Sequence, residues 1–480
     1  MRLSELFKDL EVGGTPADDM EIKGITKDSR KVEEGYLFFL TASNLRYLKD
    51  AERRGASAFV SASPIDVNRP CILVKDVEAC FGRVASAFYG RPSERLTIIG
   101  VTGTNGKTTT TFLLESIFER AGRKVGVIGT IEYRYAGVRL KPPNTTPGVD
   151  MLQALLSDMV QSGVEVVVME VSSHGLDQRR VEGVEFDCAI FTNITHDHLD
   201  YHVTEEAYRE AKRLLFHYYL KRSRKKRKFA VLNLDDPWVE YFVPPSIECY
   251  FFSISKRANA FLERLEESLE ATEICMVLGG ERITLRSSLI GGPNVQNILC
   301  ACLCASLFGV DKDALKEGVE QLSSVPGRLE RLKNDKGIHV FVDYAHTPDA
   351  LKKVLETLQR LKRGRIILVF GCGGERDRLK RPAMGRIASM LSDFTIVTSD
   401  NPRGEDPRSI IAEIERGFER KNYKVVEDRR EAISEAISIA REGDVVLIAG
   451  KGHEEYQVCA DGIVPFSDRE VVKEFLHVEA

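Results

Sequence analysis

The stretch VTGTNGKTTTT at residues 101–111 has the residue types of a phosphate-binding loop. The usual loop has a glycine, four further residues and then Gly-Lys-Ser/Thr, whereas here Gly103 stands only three residues before Gly106. Glycines let backbone N–H groups approach phosphate oxygens, a lysine reaches the β and γ phosphates, and a threonine hydroxyl can bind Mg²⁺. The alternative is a glycine turn before a capped helix. The predicted ATP-binding residues of this loop are Gly103, Thr104, Asn105, Gly106, Lys107, Thr108 and Thr109.

Two further side chains suit a divalent cation beside that phosphate. Glu170 ends the apolar run VEVVVME, and His198 lies in NITHDHLDYH, which follows the apolar run CAIFT. A carboxylate and an imidazole are common ligands of such ions, so we expect both to bind metal. Each also has a simpler explanation, a polar strand end for Glu170 and a surface or packing histidine for His198. Lys212, in YREAKRLLF, has by periodicity alone the pattern of a solvated lysine on an amphipathic helix.

Polar clusters elsewhere predict an anionic, oxygen-rich second substrate. NTTPG at residues 144–148 and SSHGLDQRRV at residues 172–181 bring together hydroxyls, amides and arginines, which bind carboxylates and phosphates. Arg376 and Arg403 lie in GCGGERD and SDNPRGED, each after an apolar strand. Because a guanidinium recognises a carboxylate with two parallel hydrogen bonds, these two arginines are candidates for binding one.

The clusters stand where an α/β fold would place a site. Helical and strand patterns alternate through most of the 480 residues, and apolar runs such as LTIIGVT, VEVVVM and RIILVFG are followed directly by polar clusters. In open α/β sheets, ligands bind beyond the carboxyl ends of the strands. We predict an α/β protein with three domains: a small mixed N-terminal domain at residues 1–93, a central P-loop-type domain with a mostly parallel sheet at 94–327, and a C-terminal doubly wound, Rossmann-like domain at 328–480.

The composition argues against several classes of protein. The hydrophobic fraction of 43% and the charged fraction of 29% are those of a globular protein, and no run approaches the roughly 18 apolar residues of a membrane span. The N-terminal MRLSELFKDL does not have the pattern of a signal peptide. The ten cysteines are scattered apart from Cys300, Cys302 and Cys304, which we expect in the core, and a cytoplasmic location fits them. A net charge of −4 gives no sign of nucleic-acid binding, and the basic run KRSRKKRK is better explained as a solvated loop.

Ten stretches, in order along the chain, resemble the signatures of the Mur ligases, the enzymes that build the peptide stem of bacterial cell-wall precursors. They are DSRKVEEGYLFF, GVTGTNGKTTT, MEVSSHGL, NITHDHLDYH, AKRLLF, VPGRLE, VDYAHTPDAL, FGCGGERDRLKRPAMG, DNPRGEDP and AGKGHEEYQ. The resemblance covers essentially the whole chain. It implies three domains that bind the uridine end of the substrate, ATP and an incoming amino acid, in that order. It also identifies the shortened glycine loop as the family's own form.

Within that family the signatures are most similar to those of the ligase that adds meso-diaminopimelate to UDP-N-acetylmuramoyl-L-alanyl-D-glutamate. The resemblance implies that ATP phosphorylates the D-glutamate side-chain carboxylate to an acyl phosphate and that Mg²⁺ is the cofactor. We expect a monomer with no nucleic-acid or membrane partner. L-Lysine is the alternative amino acid, and DNPR favours diaminopimelate because Arg403 can pair with its second carboxylate.

Two other activities share part of this pattern. A folylpolyglutamate-synthase-like ligase would share the style of the glycine loop, but DNPR and EVSSHGLDQRRV favour the muropeptide enzyme. A GTPase switch would need Asn-Lys-x-Asp after a strand, and the nearest stretch, LNLDDP, has no lysine. The loop LTASNLRYL after Phe39 is shorter than the family pattern, so the resemblance assigns no uridine contact to residues 41–44.

The resemblance also implies roles for individual residues. It reverses the interpretation of Lys212, because the matching lysine in the family is carbamylated, which turns a cation with a pKa of about 10.4 into an anion. The implied catalytic residues are Lys107, Glu170, His198 and Lys212, and the implied metal ligands are Thr108, Glu170, His198 and Lys212. Further ATP contacts would come from Asn297, Arg328 and Asp343. Contacts to the UDP-muramoyl dipeptide would come from Ser29, Asn144, Thr145, Thr146, Ser172, Gln178 and Arg180. Contacts to diaminopimelate would come from Arg376, Asp400, Asn401, Pro402, Arg403, Gly450 and Glu454.

Overall fold

The first unit of the structure is a small parallel sheet with helices packed against it. The computed structural model describes residues 1–8, 10, 19–195 and 199–476, with the backbone alone at residues 199–200. The elements of this unit are α1 Leu3–Leu6, β1 Gly24–Thr26, β2 Tyr36–Phe39, α2 Leu48–Arg53, β3 Ala58–Ser61, β4 Cys71–Leu73 and α3 Val77–Phe88. The strand order is β1-β2-β3-β4. Asp76 caps α3 by accepting the N–H of Ala79 at 3.0 Å, and Phe81 of α3 packs on Phe39 with ring centroids 4.8 Å apart.

The second unit is built on an eleven-stranded sheet. Its strands are β5 Thr97–Thr102, β6 Val125–Ile128, β7 Tyr133–Tyr135, β8 Val138–Leu140, β9 Val166–Glu170, β10 Cys188–Phe191, β11 Phe229–Asn233, β12 Glu248–Ser253, β13 Ala260–Glu267, β14 Thr272–Leu278 and β15 Glu281–Ser287. They lie in the order β15-β14-β13-β12-β11-β10-β5-β9-β6-β7-β8. The seven strands from β13 to β6 are parallel. Antiparallel pairings extend the sheet at both edges and were not predicted.

Helices cover both faces of this sheet. They are α4 Lys107–Arg120, α5 Val149–Gln161, α6 Ser173–Asp177, α7 Leu199–His202, α8 Glu205–Leu214, α9 Val239–Phe242, α10 Gly292–Leu307 and α11 Lys312–Gln321, and a π-helical segment at Leu215–Leu220 continues α8. Helices α4, α10 and α11 pack together over one face, and α5 and the π-helical segment contribute to the core on the other. Cys300, Cys302 and Cys304 are buried in the first of these cores, as predicted. Every residue of β9 is buried, which is typical of a central parallel strand.

The third unit is an open, doubly wound sheet. Its elements are β16 Glu330–Leu332, β17 His339–Asp343, α12 Pro348–Leu361, β18 Ile366–Phe370, α13 Lys380–Leu391, β19 Phe394–Val397, α14 Pro407–Glu415, β20 Tyr423–Val425, α15 Arg429–Ile439, β21 Val445–Ala449, β22 Tyr456–Cys459, β23 Gly462–Pro465 and α16 Asp468–Leu476. The six-stranded order is β16-β17-β21-β18-β19-β20, and only β16 runs antiparallel to its neighbour. Helices α12–α14 pack on one face and α15–α16 on the other. Strands β22 and β23 form a separate hairpin.

The predicted α/β class, with a central mostly parallel sheet and a doubly wound C-terminal sheet, is confirmed. No helix in the described ranges is long and apolar enough to cross a bilayer. The basic run lies between the π-helical segment and β11, and part of its charge is used within the chain. Lys225 pairs with Asp187 at 3.0 Å, and Arg224 pairs with Glu185 at 2.9 Å.

Candidate active site

The glycine loop joins the end of β5 to the start of α4. Gly103 has a φ of +145° and Gly106 a φ of +87°, and both values favour glycine. A Cβ atom on Gly103 would overlap Thr192, and one on Gly106 would overlap the side-chain amide of Asn297. Glycine is therefore required at both positions by conformation and by space. This is the backbone that the phosphate-loop prediction needs, because at these two glycines no side chain keeps the backbone N–H groups away from phosphate oxygens.

Lys107 begins α4 and turns its side chain back over the loop. Its Nζ donates to Gly103 O at 2.9 Å and to Thr104 O at 2.8 Å. Thr108 is buried, and its Oγ1 accepts a hydrogen bond from Nη2 of Arg328 at 3.3 Å. Arg328 belongs to the start of the third unit, so this hydrogen bond joins two units at the N-terminus of a helix. The backbone N–H groups at such a terminus favour an anion.

A cavity of about 310 Å³ lies between the glycine loop and the third unit. One wall contains the loop, Glu170 and Lys212, and another contains Arg328, Asp343 and neighbouring aromatic side chains. The predicted site residues that line it are Thr104, Asn105, Gly106, Lys107, Thr108, Thr109, Thr145, Glu170, Ser172, Lys212, Asn297, Arg328 and Asp343. A volume of about 300–1,000 Å³ is usual for a small-molecule site. The described residues predicted to act on ATP and on metal therefore meet at one cavity, apart from Gly103, which adjoins it.

Glu170 ends β9, which neighbours β5 in the sheet. Its side chain is only 1% exposed. Oε1 accepts the N–H of Thr130 at 2.9 Å and Oε2 accepts the hydroxyl of Thr130 at 3.0 Å, and that hydroxyl lies 3.1 Å from Oγ1 of Thr145. Thr130, which was not predicted as a site residue, thereby fixes the carboxylate at the cavity wall. His198, the second predicted metal ligand, lies outside the described residues.

Lys212 on α8 is buried at 1% exposure. Its Nζ donates to Gly103 O at 2.8 Å and lies 4.6 Å from the centroid of the Tyr208 ring. The hydroxyl of Tyr208 is in turn 3.0 Å from Oγ1 of Thr104. The expectation from periodicity, a solvated lysine, is therefore wrong, because α8 turns this side chain toward the glycine loop. Only the family resemblance placed Lys212 in the site.

The oxygen donors of the cavity fit a hard divalent cation. Mg²⁺ prefers carboxylate and hydroxyl oxygens, and Glu170 and Thr108 supply both at the cavity wall. A cationic Lys212 would repel such an ion, whereas a carbamate at the same position would supply a further oxygen ligand. Within the described ranges no group of three or more His, Cys, Asp or Glu side chains could hold a metal. The donor set therefore fits Mg²⁺ only with Lys212 modified or with help from phosphate oxygens.

Asp343 ends β17 and is buried beside Arg328. Its Oδ2 accepts the N–H of Leu329 at 2.6 Å, and its Oδ1 accepts the N–H of Ala345 at 2.7 Å. Burial raises the pKa of Asp343 to about 6, while the charge of Arg328 and the two N–H groups oppose that rise. At neutral pH the carboxyl group is therefore ionised, and it becomes protonated below about pH 6.

Two aromatic side chains near Arg328 were not predicted. Burial lowers the pKa of His453 to about 3, and the charge of Arg328 adds to the effect; burial raises the pKa of Tyr344 to about 12. Their ring centroids are 5.1 Å apart, and the Arg328 guanidinium lies 4.8 Å from the Tyr344 ring. Both groups are neutral at pH 7, so neither adds a charge beside Arg328. They stand in DYAHTPD and GKGHEEYQ, so the polar strand ends were the signal for them.

Four of the residues predicted to bind the muramoyl dipeptide form one hydrogen-bonded group. Oγ1 of Thr146 donates to Glu170 O at 2.9 Å and lies 3.2 Å from Oγ of Ser172. Nη1 of Arg180 donates to Thr146 O at 2.8 Å, and its Nε donates to Oε1 of Gln178 at 3.0 Å. Because Glu170 also lines the cavity, this group adjoins the predicted phosphate site. Burial lowers the pKa of Arg180, which remains charged at neutral pH.

Of the other three predicted dipeptide contacts, Thr145 lines the cavity, Asn144 precedes it in the chain, and Ser29 lies in the first unit. The carbonyl of Asn144 accepts a hydrogen bond from the Tyr133 hydroxyl, just before Thr145 and Thr146. Ser29 is buried in a 3₁₀ turn of the first unit and does not line the cavity. An ion pair of 3.5 Å between Lys31 and Asp150 joins that turn to the start of α5.

The predicted amino-acid residues gather at the carboxyl ends of β19 and β21. Nδ2 of Asn401 donates to Oε2 of Glu454 at 2.9 Å. Arg403, with a φ of +54°, donates from Nη1 to Gly374 O at 2.8 Å and from its backbone N–H to Val458 O at 2.9 Å. Pro402, between them, is buried. The loop after β19 is thus held against the loop after β18 and against the hairpin.

The remaining members of this cluster differ in exposure. Asp400 is buried against Gly450, which has a φ of +122° and could not carry a Cβ atom without meeting the Asp400 carboxylate. Arg376 is exposed on the loop after β18. None of the predicted amino-acid residues lines the 310 Å³ cavity, but the N–H of Gly450 donates to Asp343 O at 3.0 Å. The two sites are therefore adjacent through Asp343.

Two buried cations support the amino-acid cluster and were not predicted. Arg429 is fully buried and donates to both carboxylate oxygens of Asp468 at 2.7 Å, with its Nη1 4.0 Å from Oδ2 of Asp400. Lys451 is also fully buried, between Asn401 and Glu454. Lys451 could have been found from AGKGHEEYQ, a polar stretch after a strand. Arg429 lies within an ordinary helical pattern and had no such signal.

Family models match both of the larger units. The model described as the Mur ligase middle domain matches residues 101–305, and the model described as the Mur ligase, glutamate ligase domain matches residues 327–452. The first range contains the glycine loop, and the second contains the predicted amino-acid cluster except Glu454.

Whole proteins are similar along the entire chain. The UDP-N-acetylmuramoyl-L-alanyl-D-glutamate–2,6-diaminopimelate ligase of Geobacter metallireducens is 43% identical, over 98% of this chain and 98% of its own. A solved structure of a ligase with the same name has a TM-score of 0.75 and 34% identity, over 99% of both chains. The ADP complex of Mycobacterium tuberculosis folylpolyglutamate synthase has a TM-score of 0.64 over 76% of this chain and 90% of its own, but at 19% identity it is similar in fold alone. Because identity above 40% extends over nearly the whole length, this chain belongs to the Mur ligase family.

Proposed function

We propose that this chain is an ATP-dependent ligase that joins meso-diaminopimelate to the side-chain carboxylate of D-glutamate in UDP-N-acetylmuramoyl-L-alanyl-D-glutamate. The observation that carries the proposal is the adjacency of two clusters. A phosphate-loop cavity lies on one side of Asp343, and a group of amide, carboxylate and guanidinium side chains around Asn401, Arg403 and Glu454 lies on the other. A simple ATPase needs only the first cluster, whereas an amide ligase needs both.

The chemistry proceeds in two balanced steps. An oxygen of the D-glutamate carboxylate attacks the γ-phosphorus of ATP, the bond from that phosphorus to the bridging oxygen breaks, and ADP leaves. The product is an acyl phosphate, which makes a poor electrophile reactive because phosphate can now leave. The amine then attacks the carbonyl carbon, and the tetrahedral intermediate loses phosphate while the nitrogen loses a proton. The site contributes mainly by positioning two anions and neutralising them.

Lys107 is the loop residue that we assign to the transferred phosphate. Its Nζ donates to the carbonyls of Gly103 and Thr104. Phosphate oxygens could replace these two carbonyls as acceptors while Lys107 stays at the start of α4. Arg328 approaches the same helix N-terminus from the third unit through Thr108. We infer that the phosphates lie between these two cations, one from each unit, because both side chains line the cavity.

Mg²⁺ is the cofactor that we propose, held by Thr108, Glu170, His198 and carbamylated Lys212. In its neutral amine form, Nζ of Lys212 adds to the carbon of CO₂ with loss of one proton. The resulting carbamate is an anion in place of a cation. A divalent ion bound there would neutralise β- and γ-phosphate oxygens. Thr130 holds the Glu170 carboxylate in place through two hydrogen bonds.

Arg403 supports diaminopimelate over L-lysine as the amino acid. Diaminopimelate has a second carboxylate that lysine lacks, so a site that selects it needs a fixed cationic donor. Arg403 is held by its backbone N–H and by Nη1, and its Nε and Nη2 make no hydrogen bond with the described residues. Two donors of one guanidinium therefore remain for a carboxylate. L-Lysine would leave them unpaired.

The three sheets support the division into domains that we infer at residues 1–93, 94–327 and 328–480. The first strands of the three sheets start at Gly24, Thr97 and Glu330. We assign the uridine end of the substrate to the first domain, with Ser29 as a contact. A monomer in the cytoplasm is the state that we propose, and ten cysteines without disulfide bonds agree with that location.

Phosphate release from ATP by the purified protein tests the function. Release is expected only when both UDP-N-acetylmuramoyl-L-alanyl-D-glutamate and an amino acid are present, and kcat/KM for meso-diaminopimelate should exceed that for L-lysine at least about ten-fold. Equal efficiency with L-lysine would show that the amino acid is wrongly assigned. Release that depends on a folate acceptor instead of the muramoyl dipeptide would favour the folylpolyglutamate-synthase-like alternative.

A further inference from the structure

Lys451 is the second residue after β21 and has no solvent exposure. Its Nζ donates to Oδ1 of Asn401 at 2.9 Å and to Oε2 of Glu454 at 3.1 Å. The Tyr456 ring, with its centroid 5.8 Å from Nζ, lies on a further side. An ammonium removed from water is strongly unfavourable unless it is paired and hydrogen-bonded. The position of this cation is therefore tied to the two side chains that it contacts.

The contact determines how the amide of Asn401 is oriented. Oδ1 accepts from Nζ of Lys451 and from the backbone N–H of Val458 at 3.0 Å, and both partners can only donate. The amide nitrogen is thereby directed to Oε2 of Glu454 at 2.9 Å. One of its two hydrogens is used there, and the other has no hydrogen-bond partner in the described part of the chain. Without Lys451, half of the constraint on this orientation is lost.

The same contact determines which oxygen of Glu454 is available. Oε2 accepts from both Lys451 and Asn401, whereas Oε1 accepts no hydrogen bond from the described residues. The side chain of Glu454 is 17% exposed, in contrast to the fully buried Lys451. The three side chains thus leave one carboxylate oxygen and one amide hydrogen for a ligand. This pair of groups complements the ammonium and the carboxylate of an amino acid.

We infer that Lys451 is a positioning residue for the amino-acid substrate, an inference that rests on the proposed function. The cation holds Asn401 and Glu454 in the arrangement that binds the ammonium and a carboxylate of the amino acid, and it does not contact the substrate itself. It neutralises the Glu454 carboxylate only in part, because the carboxylate must still attract an ammonium. Asn401 and Glu454 stand 50 and 3 residues from Lys451 in the sequence, so the cation also joins two loops of the site.

Steady-state kinetics of Lys451→Met test this role. The KM for meso-diaminopimelate is expected to rise at least ten-fold, while the KM values for ATP and for the muramoyl dipeptide stay within about two-fold of wild type. Lys424→Met is the matched control. Lys424 lies in the same unit, half exposed, and pairs with the Glu435 carboxylate at 2.8 Å, so its loss should leave all three KM values unchanged.

A second variant separates positioning from folding. Removing one partner of a buried ion pair can unfold a protein, whereas removing both charges is often tolerated. Lys451→Met/Glu454→Gln should therefore fold, as judged by circular dichroism and melting temperature. Its KM for diaminopimelate should exceed that of Glu454→Gln by a smaller factor than the rise that Lys451→Met causes in the wild type. That non-additivity is expected because Lys451 acts partly through Glu454 and partly through Asn401.

The outcomes distinguish this inference from the proposed function. An unchanged KM for diaminopimelate in folded Lys451→Met, or an equal rise in all three KM values, would overturn the positioning role alone. A wild-type KM for diaminopimelate in the double variant would do the same. Wild-type protein that releases no phosphate with diaminopimelate would instead overturn the proposed function, and this inference with it.

Discussion

Replacement of Arg328 by methionine should weaken ATP binding while leaving the amino-acid site intact. The guanidinium reaches the N-terminus of α4 through Oγ1 of Thr108 at 3.3 Å and lines the cavity. A hydrogen bond to a charged group contributes about 1.5–3 kcal/mol. At about 1.4 kcal/mol per ten-fold, loss of one such bond to a phosphate should raise the KM for ATP about 10- to 140-fold. Methionine retains much of the side-chain volume, so the Tyr344 ring keeps a packing partner.

The same substitution should shift the pH dependence of kcat/KM for ATP. Burial raises the pKa of Asp343 to about 6, and the charge of Arg328 lowers it. If ionised Asp343 contacts the nucleotide, kcat/KM in the wild type should fall as pH drops through about 6, because this profile reports groups of the free enzyme. Without the Arg328 charge the neutral carboxyl is favoured further, so the midpoint should move to higher pH.

The assay is phosphate release at saturating muramoyl dipeptide and diaminopimelate, with ATP varied between pH 5 and about 8. Arg331→Met is the matched control. Arg331 is on β16, and its Nη2 contacts the exposed Glu270 at 3.4 Å, away from the cavity lining. It should change neither the KM for ATP nor the midpoint. An unchanged KM for ATP in Arg328→Met, together with an unshifted midpoint, would refute the assignment of Arg328 to the phosphates.

Three further substitutions test the metal and amino-acid assignments. Lys212→Ala should lose nearly all phosphate release while its circular dichroism spectrum stays that of the wild type. Added bicarbonate should not restore the activity, whereas a short carboxylic acid that fills the vacated ligand position should restore it. Wild-type turnover of this variant would contradict the carbamate. Glu170→Gln should raise the Mg²⁺ concentration for half-maximal rate at least about ten-fold, because a charged ligand is lost; an unchanged titration would leave Glu170 a packing residue. Arg403→Ala should reduce the preference for diaminopimelate over L-lysine at least about ten-fold in kcat/KM, and full retention of that preference would show that another residue carries it.

The order of the elements and the location of the site at the strand ends could be predicted from the sequence. The phosphate loop occupies a few consecutive residues, so its chemistry is readable without knowing what surrounds it. The parallel strands have continuous apolar runs because they are buried on both faces. The antiparallel strands β13–β15 were missed although β14 and β15 alternate between buried and less buried positions. That alternation is the usual sequence signal of a half-buried strand.

The contacts that join distant parts of the chain could not be predicted in this way. Lys212 Nζ and Gly103 O are 109 residues apart, and Arg328 and Thr108 are 220 residues apart. A lysine on an amphipathic helix has the same local pattern whether its side chain meets water or a neighbouring loop, because periodicity describes the helix and not its partner. The family resemblance identified Lys212, but its burial and its hydrogen bond to Gly103 come from the packing of α8.

What the sequence by itself determined is the chemistry that contiguous residues carry: the nucleotide loop, the α/β class, the family, and the strand ends where ligands bind. What only the tertiary structure decided is the environment of each charge. Burial raises the pKa of Asp343. The packing of the third unit encloses Lys451 between Asn401 and Glu454 and places Arg429 beside Asp400. The physical reason is that solvation depends on every chain segment packed around a group, whereas the type of a residue and its spacing are local.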